Sequence, residues 1–286
     1  MLYAEQPLVI ECAGESMLGI LSVPVAPATR GVLVIVGGPQ YRAGSHRQFT
    51  LLARELAAEG APVLRFDYRG MGDSSGDTRD FEQIELDIAC ALDRFFAAVP
   101  AMREVVIWGL CDAASAALFY AHRDARVTGL VLANPWVRTE QGEARAYLRH
   151  YYVQRILQPE FWRKVARGEW NVREAAGALK QLAAKAFASD TREAQRQTTQ
   201  PSASSLPDRM AEGLRRFGGR VLLVLSGNDL VAKEFVDEAA RSPSWRRLLG
   251  EERITRHDLA EANHTFARRE WRDQVARLTC AWVKSW

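Results

Sequence analysis

Three side chains with complementary chemistry follow predicted β-strands at widely separated points of the sequence: Cys111, Asp229 and His264. A thiol can attack a carbonyl carbon and form a covalent acyl intermediate. An imidazole can take the thiol proton and later give it to the leaving group, while a carboxylate orients the imidazole and stabilises its charged form. We therefore predict a catalytic triad with Cys111 as nucleophile, His264 as general base and acid, and Asp229 as the orienting carboxylate.

The sequence around Cys111 is typical of a buried strand that turns sharply into a helix. Residues 105–108 are apolar, Gly109 follows them, and residues 113–120 favour a helix. The unpaired N–H groups and the dipole at a helix N-terminus favour an anion. A thiol at this position is therefore placed where its reactive thiolate is stabilised.

Each of the three residues also has a simpler interpretation when it is taken alone. Cys111 would be a buried structural cysteine, and Asp229 would be the N-cap of a helix that begins near residue 231. His264 would be an ordinary surface or core histidine. Their joint occurrence just after predicted strands favours the triad over three unrelated coincidences.

A carbonyl under attack develops negative charge on its oxygen, which needs preorganised N–H donors. The backbone N–H of Asp112, directly after the nucleophile, is the first predicted donor. The second comes from the loop Gly-Gly-Pro-Gln at residues 37–40, which follows a strongly apolar segment. Proline has no N–H, so Gly38 is the predicted second donor and Gln40 the reserve.

Three further residues near these segments are predicted to contact the substrate. Arg42 and His46 follow the oxyanion loop and suit a polar or anionic group, and Trp136 follows the apolar segment 128–133.

The apolar segments that must position these residues alternate between strand and helix patterns. An opening β-hairpin is predicted at residues 7–12 and 16–23, with later strands at 31–36, 62–66, 105–108, 128–133, 220–225 and 252–259. Helices are predicted at 48–59, 81–98, 113–120, 231–240 and 268–285. Such alternation predicts an α/β fold with a mostly parallel sheet, and sites in such sheets form at the carboxyl ends of the strands.

Residues 136–216 interrupt this alternation and are predicted to form a helical cap, or lid, over a core domain of residues 1–135 and 217–286. Helical patterns occupy residues 145–157, 161–167 and 171–189, and a polar stretch follows at 190–208. The aromatic side chains of this insertion either line an acyl or alcohol pocket or pack the cap against the core.

Composition excludes several classes of function. The net charge of +3, from 38 basic and 35 acidic residues, is too small to indicate a nucleic-acid or anionic-membrane partner. No segment approaches the roughly 18 apolar residues of a membrane span, and the first residues lack the pattern of a secretory signal. A small-molecule substrate and a cytoplasmic location are expected, while the oligomeric state stays open.

The four cysteines at positions 12, 90, 111 and 280 are widely spaced and form no Cys-x-x-Cys pair. Neither a zinc site nor a disulfide framework is indicated, and no metal or other cofactor is predicted. Free thiols are the expectation.

Two motifs resemble those of α/β-hydrolases. Residues 67–76, Asp-Tyr-Arg-Gly-Met-Gly-Asp-Ser-Ser-Gly, resemble the Asp-x-Arg-Gly-x-Gly-x-Ser signature that follows the fourth strand of that fold. Residues 109–113, Gly-Leu-Cys-Asp-Ala, resemble the Gly-x-Ser-x-Gly nucleophile elbow, with cysteine in the serine position. The order of nucleophile, acid and histidine is also that of α/β-hydrolases. The resemblance implies a mostly parallel central sheet with helices on both faces and a helical cap.

More narrowly, residues 37–46 and 109–116 resemble the exosortase A system-associated hydrolases of the first type. That family is encoded in bacterial loci for exopolysaccharide and sorted surface proteins.

The resemblance and the triad together lead us to expect an enzyme that cleaves an ester or thioester, with acyl-CoA one candidate, through an acyl-cysteine intermediate. Dienelactone hydrolases are a precedent for a Cys-His-Asp set that hydrolyses esters on this fold. The same intermediate can pass its acyl group to an alcohol, amine or thiol, so an acyltransferase in exopolysaccharide or surface-protein biosynthesis is an alternative. A non-catalytic member of the fold that binds an acyl or glycan ligand is the third hypothesis.

Overall fold

A single mixed β-sheet runs through residues 2–38, 40–137 and 204–286, the parts of the chain that the computed structural model describes. Its eight strands are β1 (Tyr3–Cys12), β2 (Glu15–Pro24), β3 (Arg30–Ile35), β4 (Val63–Phe66), β5 (Glu104–Leu110), β6 (Val127–Ala133), β7 (Arg220–Ser226) and β8 (Ile254–Leu259). Their spatial order is β1-β2-β4-β3-β5-β6-β7-β8. The pairs β1–β2 and β2–β4 are antiparallel, and all other neighbours are parallel.

Helices cover both faces of this sheet. They are α1 (Gln48–Ala58), α2 (Glu85–Ala98), α3 (Asp112–Tyr120), α4 (Leu206–Arg216), α5 (Leu230–Arg241), α6 (Pro243–Leu249) and α7 (Arg269–Val283). Helices α1 and α7 pack on one face, and α2 to α6 pack on the other.

The central strands are apolar throughout because both of their faces are buried. In β3, Val32 and Val34 pack toward α1 and α7, whereas Leu33 and Ile35 pack toward the opposite core. All four side chains are fully buried. Burial on both faces holds the central strands in place. The loops that follow the carboxyl ends of these strands therefore begin from a rigid sheet.

The predicted hairpin, strands and helices of the core all occur, with ends within a few residues of the predicted bounds. The prediction overlooked α4 and α6. Helix α4 begins at a Ser205 cap followed by Pro207, and it buries Met210 and Leu214. Helix α6 has only seven residues and buries Trp245 and Leu248. The Trp245 ring packs edge-on against Phe235 at 5.2 Å.

Most of the predicted cap, with its helical patterns at 145–157, 161–167 and 171–189, lies outside the described residues. The last part of the interval 136–216 contains α4, which packs on α3. Gly213 approaches this helix so closely that a Cβ atom would collide with the Leu118 carbonyl oxygen. The cap role of residues 138–203 stays a prediction.

Candidate active site

Cys111 lies in a sharp turn between β5 and α3. Its backbone has φ 63° and ψ −125°, a conformation that non-glycine residues rarely adopt. The Cys111 N–H donates to the Ala133 carbonyl of the neighbouring strand at 2.9 Å. A Cβ at Gly109 would come within 2.6 Å of the Ala113 carbonyl group, so glycine is needed where the strand meets the helix. These contacts hold a strained backbone that presents the thiol beyond the sheet edge.

Asp229 both caps a helix and contacts His264. It is the N-cap of α5, where its Oδ1 accepts from Val231 N at 3.1 Å and its Oδ2 from Ala232 N at 3.2 Å. The same Oδ2 lies 2.8 Å from His264 Nδ1. Its side chain is only 6% exposed, so the carboxylate is held rigidly.

His264 lies between this carboxylate and the Cys111 thiol. Burial disfavours the charged ring, but hydrogen bonds with Asp229 and with Cys111 outweigh it and raise the pKa of His264 to about 10. Because Nδ1 faces Asp229, the other ring nitrogen is the one available to Cys111. The carboxylate and the thiol on the two sides of the ring therefore both favour its protonated form.

Asn134, which follows β6, connects the strand ends that carry Asp229 and His264. Its Nδ2 donates to Ser226 Oγ at 2.9 Å and to the His264 carbonyl at 3.0 Å, and its Oδ1 accepts from Ser226 N at 2.8 Å. Ser226 Oγ in turn donates to the Asn263 carbonyl at 3.0 Å. Asn134 is fully buried at φ 45°, a region that asparagine tolerates better than most residues. The site thus has an internal brace that the sequence analysis missed.

The predicted oxyanion donors lie beside the carboxylate of Asp112 itself. The N–H of Gly38 donates to Asp112 Oδ2 at 2.9 Å, and the N–H of Ala113 donates to Oδ1 at 2.9 Å. Gln40, the reserve donor, uses its side-chain Oε1 to accept from Ser45 N at 3.2 Å. The oxyanion role of all three residues stays a prediction.

A protein-family model for the alpha/beta hydrolase family matches residues 32–278, which is most of the chain. The chain belongs to this family. A search of curated proteins finds no match.

Solved structures share the fold at low sequence identity. An esterase from Pyrococcus furiosus superposes with a TM-score of 0.66 at 13% identity, over 99% of this chain and 92% of that chain. A dienelactone hydrolase from Anabaena variabilis gives a TM-score of 0.62 at 15% identity, over 99% of this chain and 97% of that chain. The esterase domain of a Rhodothermus marinus protein gives 0.59 at 15% identity, over 98% and 97%.

The residues predicted to contact substrate in this α/β-hydrolase lie in different surroundings. The Arg42 guanidinium pairs with Asp67 and, at 2.7 Å, with Asp73, so its charge is already engaged. His46 is exposed at φ 52° in the short turn before α1. Trp136 is half-buried, and its backbone N–H donates to the Cys111 carbonyl at 3.2 Å. Their substrate roles stay predictions.

The glycine-rich motif at residues 67–76 acts as a brace for the loops of this α/β-hydrolase. The carboxylate of Asp67 accepts from Arg42 N at 2.5 Å and from Asp73 N at 3.2 Å, which ties the motif to the oxyanion loop. The guanidinium of Arg69 makes a bidentate pair with Asp87 of α2 at 2.9 and 3.0 Å. This pair holds the motif against α2.

Within residues 2–38, 40–137 and 204–286, no cluster of three or more histidine, cysteine or acidic side chains could hold a metal ion. In the same parts of the chain, no helix is long and apolar enough to cross a membrane.

Proposed function

We propose that this α/β-hydrolase cleaves an ester or thioester through a covalent acyl intermediate on Cys111. The observation that carries the proposal is the contact chain from the Cys111 thiol to the His264 ring and from His264 Nδ1 to Asp229 Oδ2 at 2.8 Å. A nucleophile beside a base, with the base oriented by a third group, is the arrangement that covalent acyl transfer requires.

The chemistry follows from the charges in this chain of contacts. The thiolate attacks the carbonyl carbon, and the negative charge that develops on the carbonyl oxygen needs N–H donors such as those of Gly38 and Asp112. The bond from the carbonyl carbon to the leaving oxygen or sulfur then breaks, and His264 gives its proton to that atom. A water molecule next attacks the acyl-thioester, passes a proton to His264 and releases a carboxylic acid. Cleavage of the carbon–sulfur bond restores the thiolate.

An alcohol, amine or thiol in place of this water would give acyl transfer by the same steps. The resemblance of residues 37–46 and 109–116 to exosortase-associated hydrolases supports a role in exopolysaccharide or surface-protein biosynthesis, in the cytoplasm. Acceptor dependence distinguishes the two reactions: deacylation that accelerates with added alcohol or amine favours transfer, and deacylation in buffer alone favours hydrolysis.

The test is the mass of the intact protein after mixing with short p-nitrophenyl esters and with acyl-CoA thioesters. We expect one acyl group per chain in the wild type and none in Cys111→Ala. Cys280→Ala is the matched control, because it removes a thiol that is buried against α1 and the sheet. An adduct that persists in Cys111→Ala, or no adduct and no released nitrophenol with any substrate, would contradict the proposal and favour a binding role.

A further inference from the structure

The carboxylate of Asp112 accepts hydrogen bonds from backbone groups that are predicted to bind the oxyanion. Its two oxygens accept from Gly38 N and Ala113 N, both at 2.9 Å, and its own backbone N–H also faces it. Two of these three N–H groups, those of Gly38 and Asp112, are the predicted oxyanion donors. The site therefore binds its own carboxylate where a substrate carbonyl oxygen would be stabilised.

The backbone around Asp112 is shaped to hold this side chain. A Cβ atom at Gly37 would collide with Asp112 Oδ1, so only glycine leaves space for the carboxylate. Gly38 has φ 59°, which turns its N–H toward Oδ2 and is a conformation that glycine adopts without strain. Two successive glycines and the first turn of α3 thus form a pocket for an anion.

The surroundings of the Asp112 side chain disfavour its charged form. Burial raises the pKa of Asp112, the three backbone N–H groups lower it, and the nearby carboxylate of Asp80 raises it again, with a net increase. The phenol of Tyr68, which is buried beside it, has its own pKa raised to about 12, mainly by burial. Asp112 therefore depends on the same backbone donors that catalysis requires.

We propose that Asp112 is a self-inhibitory occupant of the oxyanion hole, and that its carboxylate must leave the N–H groups of Gly38 and Asp112 before a substrate carbonyl can be attacked. This inference rests on the proposed acyl-cysteine chemistry. A carboxylate and a tetrahedral oxyanion cannot share the same donors, because two negative oxygens in one small site repel each other. Removing the charge of Asp112 therefore accelerates acylation of Cys111, whereas removing an ordinary catalytic or structural group slows it.

The test compares the rate of acyl-enzyme formation in the wild type, Asp112→Asn and Asp112→Ala, with p-nitrophenyl acetate as the probe. Since one oxyanion donor is commonly worth about 100-fold or more in rate, we expect both variants to be acylated roughly 10- to 100-fold faster than the wild type. Asp80→Asn is the matched control. It removes one nearby negative charge but leaves Asp112 on the donors, so its rate should stay close to that of the wild type. The melting temperature of each variant verifies that it is folded.

The outcomes separate this inference from the proposed function. Faster acylation in Asp112→Asn and Asp112→Ala, but not in Asp80→Asn, supports the inference. Acylation of the wild type together with equal or slower acylation of the folded Asp112 variants overturns it and leaves the proposed function standing. Acylation in none of the proteins overturns the proposed function and this inference with it.

Discussion

Cys111 and Cys12 both stand at the end of a strand, but their surroundings differ in every respect that controls a thiol. Cys111 follows a parallel strand and precedes a helix, with the ring of His264 beside it. Cys12 ends β1 in an antiparallel hairpin, where the Cys90 thiol donates to its sulfur at 2.7 Å. Burial and this thiol neighbour raise the pKa of Cys12 to about 12.

From this comparison we expect a thiol at the end of a strand to be reactive only where charge-stabilising groups converge. Carboxyl ends of neighbouring parallel strands lie at one edge of the sheet, so residues far apart in sequence reach the same place. A hairpin brings together only its own two strands and whatever packs on them. At Cys12 that is the Cys90 thiol of α2, and the nearby Arg69–Asp87 pair acts on the pKa of Cys12 with opposite signs. Cys280, buried in α7, has a pKa raised to about 12, chiefly by burial.

The largest expected effect is the contrast in alkylation between these cysteines. At pH 7.5 a thiol with a pKa near 12 is ionised to only about one part in 30,000, while even an ordinary exposed thiol is a few per cent ionised at neutral pH. We expect iodoacetamide to modify Cys111 at least about a thousandfold faster than Cys12 or Cys280, as measured by peptide mass spectrometry. Cys90→Ala is the control, because it alters only the Cys12 neighbourhood. Similar alkylation rates at Cys111 and Cys12 would contradict the expected difference between the two thiols.

The second effect concerns Asp229, which caps α5 and contacts His264. Asparagine is an equally good N-cap, so Asp229→Asn keeps the cap and removes the charge. We expect acyl-enzyme formation to fall at least about 100-fold in Asp229→Asn. Asp229→Ala should lose the cap as well, which costs about 1 kcal/mol of further unfolding free energy. Equal rates of acyl-enzyme formation in the wild type and Asp229→Asn would show that Asp229 acts only as the N-cap of α5.

The stability lost in Asp229→Asn is also expected to depend on pH. The pKa of His264 is raised from its usual 6.5 to about 10 in the folded chain, so the protonated ring stabilises the fold fully below pH 6.5. This contribution disappears as the pH rises toward 10. Denaturant unfolding should therefore show a larger loss of stability for Asp229→Asn at pH 6 than at pH 10, and a pH-independent loss would contradict the assignment.

The smallest of these effects is expected at Asn134, whose amide acts on His264 through the backbone. Asn134→Gly keeps the positive φ and removes the three hydrogen bonds. It leaves buried groups of Ser226 unpaired, at a cost of about 2 kcal/mol in unfolding free energy. We expect acylation of Cys111 to slow about tenfold through misplacement of His264, with the alkylation rate of Cys111 falling in parallel. A loss of stability with an unchanged acylation rate would show that Asn134 supports the fold but does not position His264.

The spacing of apolar residues predicted the core helices and strands because these elements are long and their apolar residues recur regularly. The two elements that it missed differ in the reason. Helix α4 lies beside a polar stretch and is half charged, although its apolar residues Leu206, Met210 and Leu214 recur at helical spacing after the Ser205 cap. Helix α6 is two turns long and buries only Trp245 and Leu248, too few residues to show a helical period in the sequence.

The sequence by itself determined which residues follow the strands, and in an alternating α/β chain that suffices to place Cys111, Asp229 and His264 at one edge of the sheet. It also contains the glycine-rich motif at residues 67–76, but the partners of Asp67 and Arg69, the loop of Arg42 and Asp87 of α2, are given only by the structure. Only the tertiary structure decided where the Asp112 side chain lies and what Asn134 holds together. Both depend on backbone groups from distant segments, because a side chain chooses among N–H and C=O partners that sequence distance does not reveal.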